Sequence, residues 1–206
     1  MTLFEVVVVA AIVMILAALL LQALAVAKKK SSKINCTNNL KQVDLAFRIW
    51  AGDNGDIYPM GVSVTNGGAM EMVQTGNVLQ IFMVMSNELS TPKILYCPED
   101  ASGDVGMYFH TLSATNVSYF SAVDVTNEIN PRLILSGDCN FTIAKKPVKS
   151  GMLSLWVNDP VAWEPPRHGA NGNLGFADGS VQSATPSSLH NYLIQTGVAT
   201  NRLAIP

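Results

Sequence analysis

Apolar residues fill the first part of the chain almost without interruption. Within residues 6–27 the only strongly polar side chain is Gln22, Glu5 stands just before this run, and Lys28-Lys29-Lys30 follows it. A helix rises about 1.5 Å per residue, and about 20 apolar residues cross the hydrocarbon core of a bilayer. Because residues 3–27 contain no Pro or Gly, we predict that residues 1–27 form a transmembrane helix rather than the buried helix of a soluble core.

Beyond the three lysines the apolar residues take the spacing of an amphipathic helix. Their steps alternate between four and three residues, which places them on one helix face. They are Cys36, Leu40, Val43, Phe47 and Trp50. Asp44 and Arg48 lie on another face, where they can pair at i, i+4. We therefore predict one helix from about Thr2 to Trp50, whose amphipathic half is residues 28–52.

Residues 53–206 contain short segments of both helical and extended pattern, which is typical of an α+β head domain. Asn77 can cap a short helix that reaches Leu89. The segments richest in β-forming residues, which we predict as strands, are residues 117–123, 132–136 and 152–157. We therefore expect a small antiparallel sheet packed on the long helix.

The clearest local signal of the head lies at residues 173–184. Asp178-Gly179 stands between two short alternating runs, which predicts a β-hairpin with a two-residue type I′ turn and positive φ at both residues. After it, Ser187 or Ser188 can cap a closing helix that ends before Gly197. The chain is thus expected to close with a hairpin and a short helix.

Charge is unevenly divided along the chain. Of its 206 residues, with a net charge of −2, the first 50 carry six Lys or Arg and two Asp or Glu, whereas the remainder carries seven and thirteen. The predicted head is therefore acidic. Since a generic nucleic-acid-binding surface is basic, we expect no nucleic-acid partner.

The sequence lacks the common catalytic motifs. No His-Glu-x-x-His, Gly-x-Ser-x-Gly, Cys-x-x-Cys or phosphate-binding loop is present, and the three histidines, His110, His168 and His190, are far apart. We therefore expect no enzymatic activity and no cofactor.

The N-terminal sequence is similar to that of a known family of filament proteins. The first thirty residues, MTLFEVVVVAAIVMILAALLLQALAVAKKK, resemble the mature N-terminus of a type IV pilin or a type II secretion pseudopilin. In that family a basic leader is removed before the first residue, which is then N-methylated. Met1 matches this residue, and Glu5 matches the glutamate that neutralises the N-terminal amine of a neighbouring subunit. The family's helix-kinking proline is missing, and Gln22 stands in that region.

The resemblance implies a type IV pilin-like fold and a structural role without catalysis. Residues 3–27 of many copies would pack together as the core of a pilus-like filament. The residues assigned to this core are Leu3, Phe4, Val7, Val8, Ala11, Ile15 and Leu19. The implied partners are other copies of the chain, a prepilin peptidase, an inner-membrane platform protein and an assembly ATPase. The implied location is the inner membrane before assembly, and afterwards a periplasmic or cell-surface filament.

Orientation in the membrane distinguishes the filament-subunit hypothesis from a simple membrane anchor. The positive-inside rule alone would place Lys28-Lys29-Lys30 and everything after them in the cytoplasm. The resemblance implies the opposite orientation, because the family's basic leader holds the N-terminus inside before cleavage. Two alternatives remain open: a minor or tip pseudopilin of a type II secretion system, and a single-pass membrane protein whose outer domain binds a ligand.

The C-terminal part of the chain carries a second resemblance. RHGANGNLGFADGSVQ, in which nine residues separate His168 from Asp178-Gly179, resembles a signature of pseudopilin-like proteins of planctomycete and verrucomicrobial bacteria. Residues 36–59, 95–100 and 134–140 also resemble stretches of that group. His168 and Asp178 could form a metal or catalytic pair. We favour the simpler interpretation that both are structural, with Asp178 and Gly179 making the turn.

Cysteine pairing and calcium binding are expectations that rest on the same resemblance. Cys36 and Cys97 fall in the matching stretches and Cys139 does not, so the resemblance implies a Cys36–Cys97 disulfide, with three buried free thiols as the alternative. Some major pseudopilins bind calcium through oxygen ligands in a C-terminal loop. The candidate ligands here are Asp138, Asn140, Asp159 and Asp178. They lack the close spacing of a loop site, so we assign no metal.

Overall fold

The computed structural model describes residues 2–165 and 167–206. It begins with a single helix, α1 (Leu3–Asp53), which confirms the long N-terminal helix predicted from the sequence. Thr2 caps this helix: its hydroxyl accepts a hydrogen bond from the Glu5 backbone N–H at 3.3 Å, and Glu5 Oε2 accepts one from the Thr2 N–H at 2.7 Å. This reciprocal pair is a capping box, which satisfies two of the free donors at a helix start.

The two halves of α1 have opposite environments. The half at residues 3–27 is exposed throughout, its most apolar 18-residue window has a mean hydropathy of 3.0, and no residue of that window is buried. By length and composition this helix can cross a membrane. The second half is buried in the head along one face. The buried residues are Cys36, Leu40, Val43, Asp44, Ala46, Phe47, Trp50 and Ala51. The predicted amphipathic face is therefore confirmed.

Within the described residues of the head there are four short helices. They are α2 (Met70–Val73), α3 (Val78–Val84), α4 (Ser86–Leu89) and α5 (Pro186–Gln195). Asn77 caps α3, as predicted, by accepting a hydrogen bond from the Leu79 N–H at 3.2 Å. The single helix expected as far as Leu89 is divided at Met85, which leaves the helical conformation. Short 3₁₀ turns lie at Pro59–Gly61, Val64–Asn66, Pro92–Leu95, Phe109–Thr111, Ala114–Asn116 and Arg167–Gly169.

The cap predicted for α5 is wrong. The helix begins at Pro186, and Thr185 is its cap, with its hydroxyl accepting from the Ser188 N–H at 3.2 Å. Ser188 contributes the reciprocal bond by accepting from the Thr185 N–H at 2.7 Å. Proline fits the first helical position because its fixed φ is helical and the N–H it lacks would be unpaired there. The cap therefore moves to the residue before Pro186.

The strands form two antiparallel sheets. They are β1 (Tyr119–Ala122), β2 (Ile134–Asp138), β3 (Phe141–Ile143), β4 (Lys146–Pro147), β5 (Gly151–Trp156), β6 (Val161–Trp163), β7 (Gly172–Phe176), β8 (Val181–Ala184) and β9 (Thr200–Ile205). The larger sheet has the order β5–β9–β1–β2–β7–β8, and the smaller one β4–β3–β6. The three strands predicted from composition correspond to β1, β2 and β5, and the α+β class is confirmed.

Helix α1 lies directly on β7 and β2, and a glycine permits this close approach. A Cβ atom at Gly175 would stand 1.9 Å from Asp44 Oδ2. Asp44 is completely buried here, and its Oδ1 accepts a hydrogen bond from Ser136 Oγ at 2.5 Å. The predicted Asp44–Arg48 pair is therefore wrong. Arg48 instead binds Glu128, with 2.7 Å between Nε and Oε1.

Asp44 makes the stability of the head depend on pH. Burial raises the pKa of its carboxyl well above the usual range, and the hydrogen bond from Ser136 only partly opposes this. The unfolded chain ionises Asp44 near pH 4, so its contribution to stability falls by up to about 1.4 kcal/mol per pH unit between that value and the raised folded pKa.

Asp44→Asn is therefore expected to be more stable than the parent protein at pH 7, with the difference shrinking towards zero near pH 4. Urea unfolding of both proteins at the two pH values measures this. A difference that is the same at both pH values would contradict a buried, ionisable Asp44.

The hairpin joins β7 to β8 as predicted, but its turn has a different geometry. The Gly179 N–H donates to Phe176 O at 2.8 Å, and the Phe176 N–H donates to Ser180 O at 2.9 Å, so three residues form the loop. Only Gly179 has a positive φ, of 79°, whereas a type I′ turn requires it at Asp178 as well. A three-residue loop needs one left-handed residue, and glycine supplies it. The type I′ prediction is wrong for this reason.

Candidate functional site

The N-terminal half of α1 presents an extended apolar surface. Its residues assigned to the filament core are all exposed, and the larger side chains among them expose between 40% (Val8) and 85% (Leu3) of their area. They are Leu3, Phe4, Val7, Val8, Ala11, Ile15 and Leu19. Contiguous apolar surface of this extent requires lipid or protein to cover it.

Glu5 is the acidic residue of this surface. In the isolated subunit its Oε2 is held by the Thr2 N–H within the capping box. A carboxylate has two oxygens and accepts several hydrogen bonds, so this contact leaves Glu5 able to bind a further cation. Met1, assigned as the mature N-terminus, lies outside the described residues.

A second cluster surrounds His168, inside the head. His168 follows β6 in the Arg167–Gly169 turn, where its φ is +52°, and its side chain is completely buried. Its Nδ1 lies 3.0 Å from Glu99 Oε2, its Nε2 lies 3.4 Å from Asp138 Oδ2, and the same Nε2 lies 3.5 Å from Cys97 Sγ. Asn173 Nδ2 lies 3.4 Å from the same Nε2 atom. The imidazole is therefore enclosed by two carboxylates, an amide and a sulfur atom.

Asp138 is held at the end of β2 by Asn173 of β7. Its Oδ2 accepts hydrogen bonds from the Asn173 backbone N–H at 2.7 Å and from Asn173 Nδ2 at 2.9 Å. Within the described residues its Oδ1 is buried without a hydrogen-bond partner. Asn173 Oδ1 in turn accepts from Thr37 Oγ1 of α1 at 3.1 Å. The cluster thus connects α1 to strands β2 and β7.

A disulfide joins Cys36 of α1 to Cys97, with 4.9 Å between their Cα atoms. This is the pairing that the resemblance implies. Both cysteines are completely buried, and Cys139 is half-buried with a free thiol. The bond fixes the helix to the segment after Leu95, next to His168.

Arg167 and Asp100 form a buried ion pair beside this cluster. Burial alone would raise the pKa of Asp100, but hydrogen bonds from Ser102 and Ser118 and the charge of Arg167 together hold it below its usual range. Arg167 also donates to Ser118 O at 3.3 Å. Asp100 is therefore ionised, and the pair holds the turn that carries His168.

The structure does not bring His168 and Asp178 together. Asp178 lies in the hairpin loop, where its Oδ1 accepts from the Ser180 N–H at 2.8 Å, and Gly179 of the same loop lies against Arg48 of α1. His168 contacts Glu99 and Asp138 instead. The His–Asp spacing in the sequence therefore reflects two separate structural positions.

The candidate calcium ligands are also committed to separate contacts. Asp159 accepts from the Trp156 N–H at 2.8 Å, and Asn140 Nδ2 donates to Glu164 O at 3.0 Å. Asp138 binds Asn173, and Asp178 belongs to the hairpin loop. Each of the four therefore has a local role in the fold.

Sequence reasoning missed Glu99, Asp138 and Asn173 as partners of His168. They are separated from it by 69, 30 and 5 residues, so no local spacing marks them. The only signal was that all three fall inside stretches that resemble the pseudopilin-like group, Glu99 at 95–100, Asp138 at 134–140 and Asn173 at 167–182.

Comparison of the chain with models of known protein families, with curated proteins and with solved structures gives no match.

Proposed function

We propose that this protein is the structural subunit, a pilin or major pseudopilin, of a type IV pilus-like filament. The observation that carries the proposal is the N-terminal half of α1, which is wholly exposed, almost entirely apolar and continuous with a half that is fixed in the head. Before assembly, lipid covers this half. In the filament, the same half of neighbouring copies covers it.

Glu5 gives the proposed assembly its axial register. A carboxylate among apolar helices costs about 2.5 kcal/mol or more unless it is paired. The N-terminal amine of a neighbouring subunit supplies the matching positive charge at one axial offset only. A subunit at another offset leaves both charges buried and unpaired, which is strongly unfavourable.

The head supports the same proposal. The Cys36–Cys97 disulfide and the ion pair between Arg48 and Glu128 both attach α1 to the head. A load applied along the helix is therefore transmitted to the whole head. The acidic head domain then forms the outer surface of the filament.

A single-pass anchor for an outer binding domain is the second candidate, because the same helix is long enough to hold a domain at a membrane. This role requires no contact at Glu5. The two candidates therefore make different predictions. Only the filament subunit forms fibres and places Glu5 beside the N-terminus of a neighbouring copy.

Fibres sheared from cells, examined by electron microscopy and N-terminal peptide mass spectrometry, test the proposal. We expect thin filaments that contain this chain with a methylated first residue. An unmodified or formylated Met1, found only in the membrane fraction and without fibres, would exclude the filament subunit and leave the anchor.

A further inference from the structure

We propose that Cys36, Cys97 and His168 bind one zinc ion when the two cysteines are thiols, so that the disulfide and the zinc site are alternative states of the same residues. The ligand atoms of Cys36, Cys97 and His168 lie within 4.8 Å of one another, and all three residues are buried. Asp138 lies outside this group, so the fourth zinc position is open. The inference does not depend on filament assembly.

One distance already matches that of a tetrahedral zinc centre. With Zn–S of about 2.3 Å and Zn–N of about 2.0–2.1 Å, a sulfur and a nitrogen ligand on one zinc lie about 3.5 Å apart. The separation from Cys97 Sγ to His168 Nε2 is 3.5 Å. Cys36 completes the set of three ligands once its sulfur is free to rotate.

The surroundings of these residues provide a second observation. A zinc-binding histidine usually donates its other ring N–H to a carboxylate, which fixes the ring. Glu99 Oε2 stands 3.0 Å from the His168 Nδ1 atom. Within the described residues Nδ1 makes no hydrogen bond in this state, so the ring has to turn slightly to donate to Glu99. Asp138 Oδ1 is also buried without a hydrogen-bond partner within the described residues, which is costly for a carboxylate unless a cation is bound nearby. Two carboxylates thus lie next to the histidine of the proposed site.

The donor set selects the metal. Two thiolates and one imidazole suit zinc, whereas calcium and magnesium prefer ligand sets made only of oxygen. The ligands come from α1, from the segment after Leu95 and from the Arg167–Gly169 turn. Zinc would therefore cross-link the same elements as the disulfide, and hold the helix to the head before oxidation.

Oxidation converts one state into the other. The two zinc-bound thiolates give two electrons to a disulfide of a protein oxidant, which takes up two protons and leaves as two thiols. The Cys36–Cys97 bond forms and Zn²⁺ is released, because a disulfide sulfur no longer provides a thiolate ligand. An oxidising compartment such as the periplasm therefore favours the disulfide.

Cobalt titration of the full chain in detergent micelles tests the site. The protein is reduced with a phosphine under nitrogen, and Co²⁺ is added as the optical probe. We expect one Co²⁺ per chain, with a thiolate-to-cobalt charge-transfer band and the visible bands of tetrahedral cobalt, both removed by one equivalent of Zn²⁺. The oxidised protein is expected to bind none.

Three variants separate this site from adventitious binding. Cys139→Ser, which removes the third cysteine, leaves both bands and the affinity unchanged. Cys97→Ser weakens the charge-transfer band and the affinity. Glu99→Gln keeps the band but lowers the zinc affinity by about 10–100-fold, as expected for a residue that supports a ligand.

A measurement on the parent protein covers the case in which a variant does not fold. Zinc should slow the alkylation of Cys36 and Cys97 and leave that of Cys139 unchanged. If the reduced chain unfolds, zinc should refold it. The proposal is overturned if the reduced parent protein shows no thiolate band, if zinc neither protects the two cysteines nor refolds the chain, or if Cys139→Ser abolishes binding.

Discussion

A Glu5→Ala variant is expected to give no filaments while reaching the membrane in normal amount. The substitution removes the only acidic side chain of the exposed helix half. Without it, the N-terminal amine of each incoming subunit would be buried unpaired, at a cost of about 3–5 kcal/mol per subunit. Because the same cost recurs at every addition, elongation stops. Filament mass per cell, measured by shearing and immunoblotting against the membrane pool, reports this.

Thr2→Ala is the matched control for this experiment. Glu5 and Thr2 form one capping box, so Glu5→Ala also weakens the start of α1. Thr2→Ala removes the cap at a cost of about 1 kcal/mol and keeps the carboxylate. We expect this variant to form filaments. If both variants fail to assemble, the helix cap is what assembly needs, and a charge role for Glu5 is contradicted.

Replacing both bonded cysteines by serine is expected to lower the free energy of unfolding of the head by about 4 kcal/mol. The disulfide spans a sequence separation of 61 residues, and a cross-link over a loop of that length restricts the unfolded chain by about that amount. The two sulfurs are also completely buried, so the serines leave two polar groups in an apolar site. Both effects lower the free energy of unfolding of the head.

Urea unfolding of the full chain in micelles, with a chelator present, measures this loss. The buried side chains of Trp50 and Trp163 report on unfolding through their fluorescence. Cys139→Ser is the control, and its unfolding midpoint should change little. A double variant as stable as the parent protein would show that the Cys36–Cys97 bond does not form in solution.

The long helix and its two halves could be predicted because they depend on local periodicity. Spacing alone identified the buried face that includes Leu40 and Phe47, since helix geometry fixes which positions share a face. The cap at Asn77 was found for the same reason, because the capping bond to the Leu79 N–H spans only two residues.

The errors came from contacts between distant segments. Asp44 looked like a solvent-facing residue, but β2 and β7 cover it, and only the glycine at position 175 leaves room for its carboxylate. Strand β9 was missed although its six residues make it as long as β5. It is held by pairing with β5 on one side and β1 on the other, which the local sequence does not encode.

The cluster around His168 could not be predicted for the same reason. Its histidine, cysteines and carboxylates lie on separate elements, and only the folded sheet brings Asp138 and Cys97 to one side of the imidazole. His168 and Asp178 stand out in the sequence, but they do not form a pair. His168 contacts Glu99 and Asp138, whereas Asp178 accepts a hydrogen bond within the hairpin loop.

In the proposed assembly, residues 3–27 of α1 are surrounded by lipid before assembly and by the same residues of other copies in the filament. Cryo-electron microscopy of sheared fibres tests this most directly. We predict a reconstruction in which residues 3–27 pack at the filament axis, Glu5 lies beside the N-terminus of a neighbouring subunit, and the heads lie outside. A fibre whose axis is formed by the heads, or a chain found only as a membrane-embedded monomer, would contradict the account.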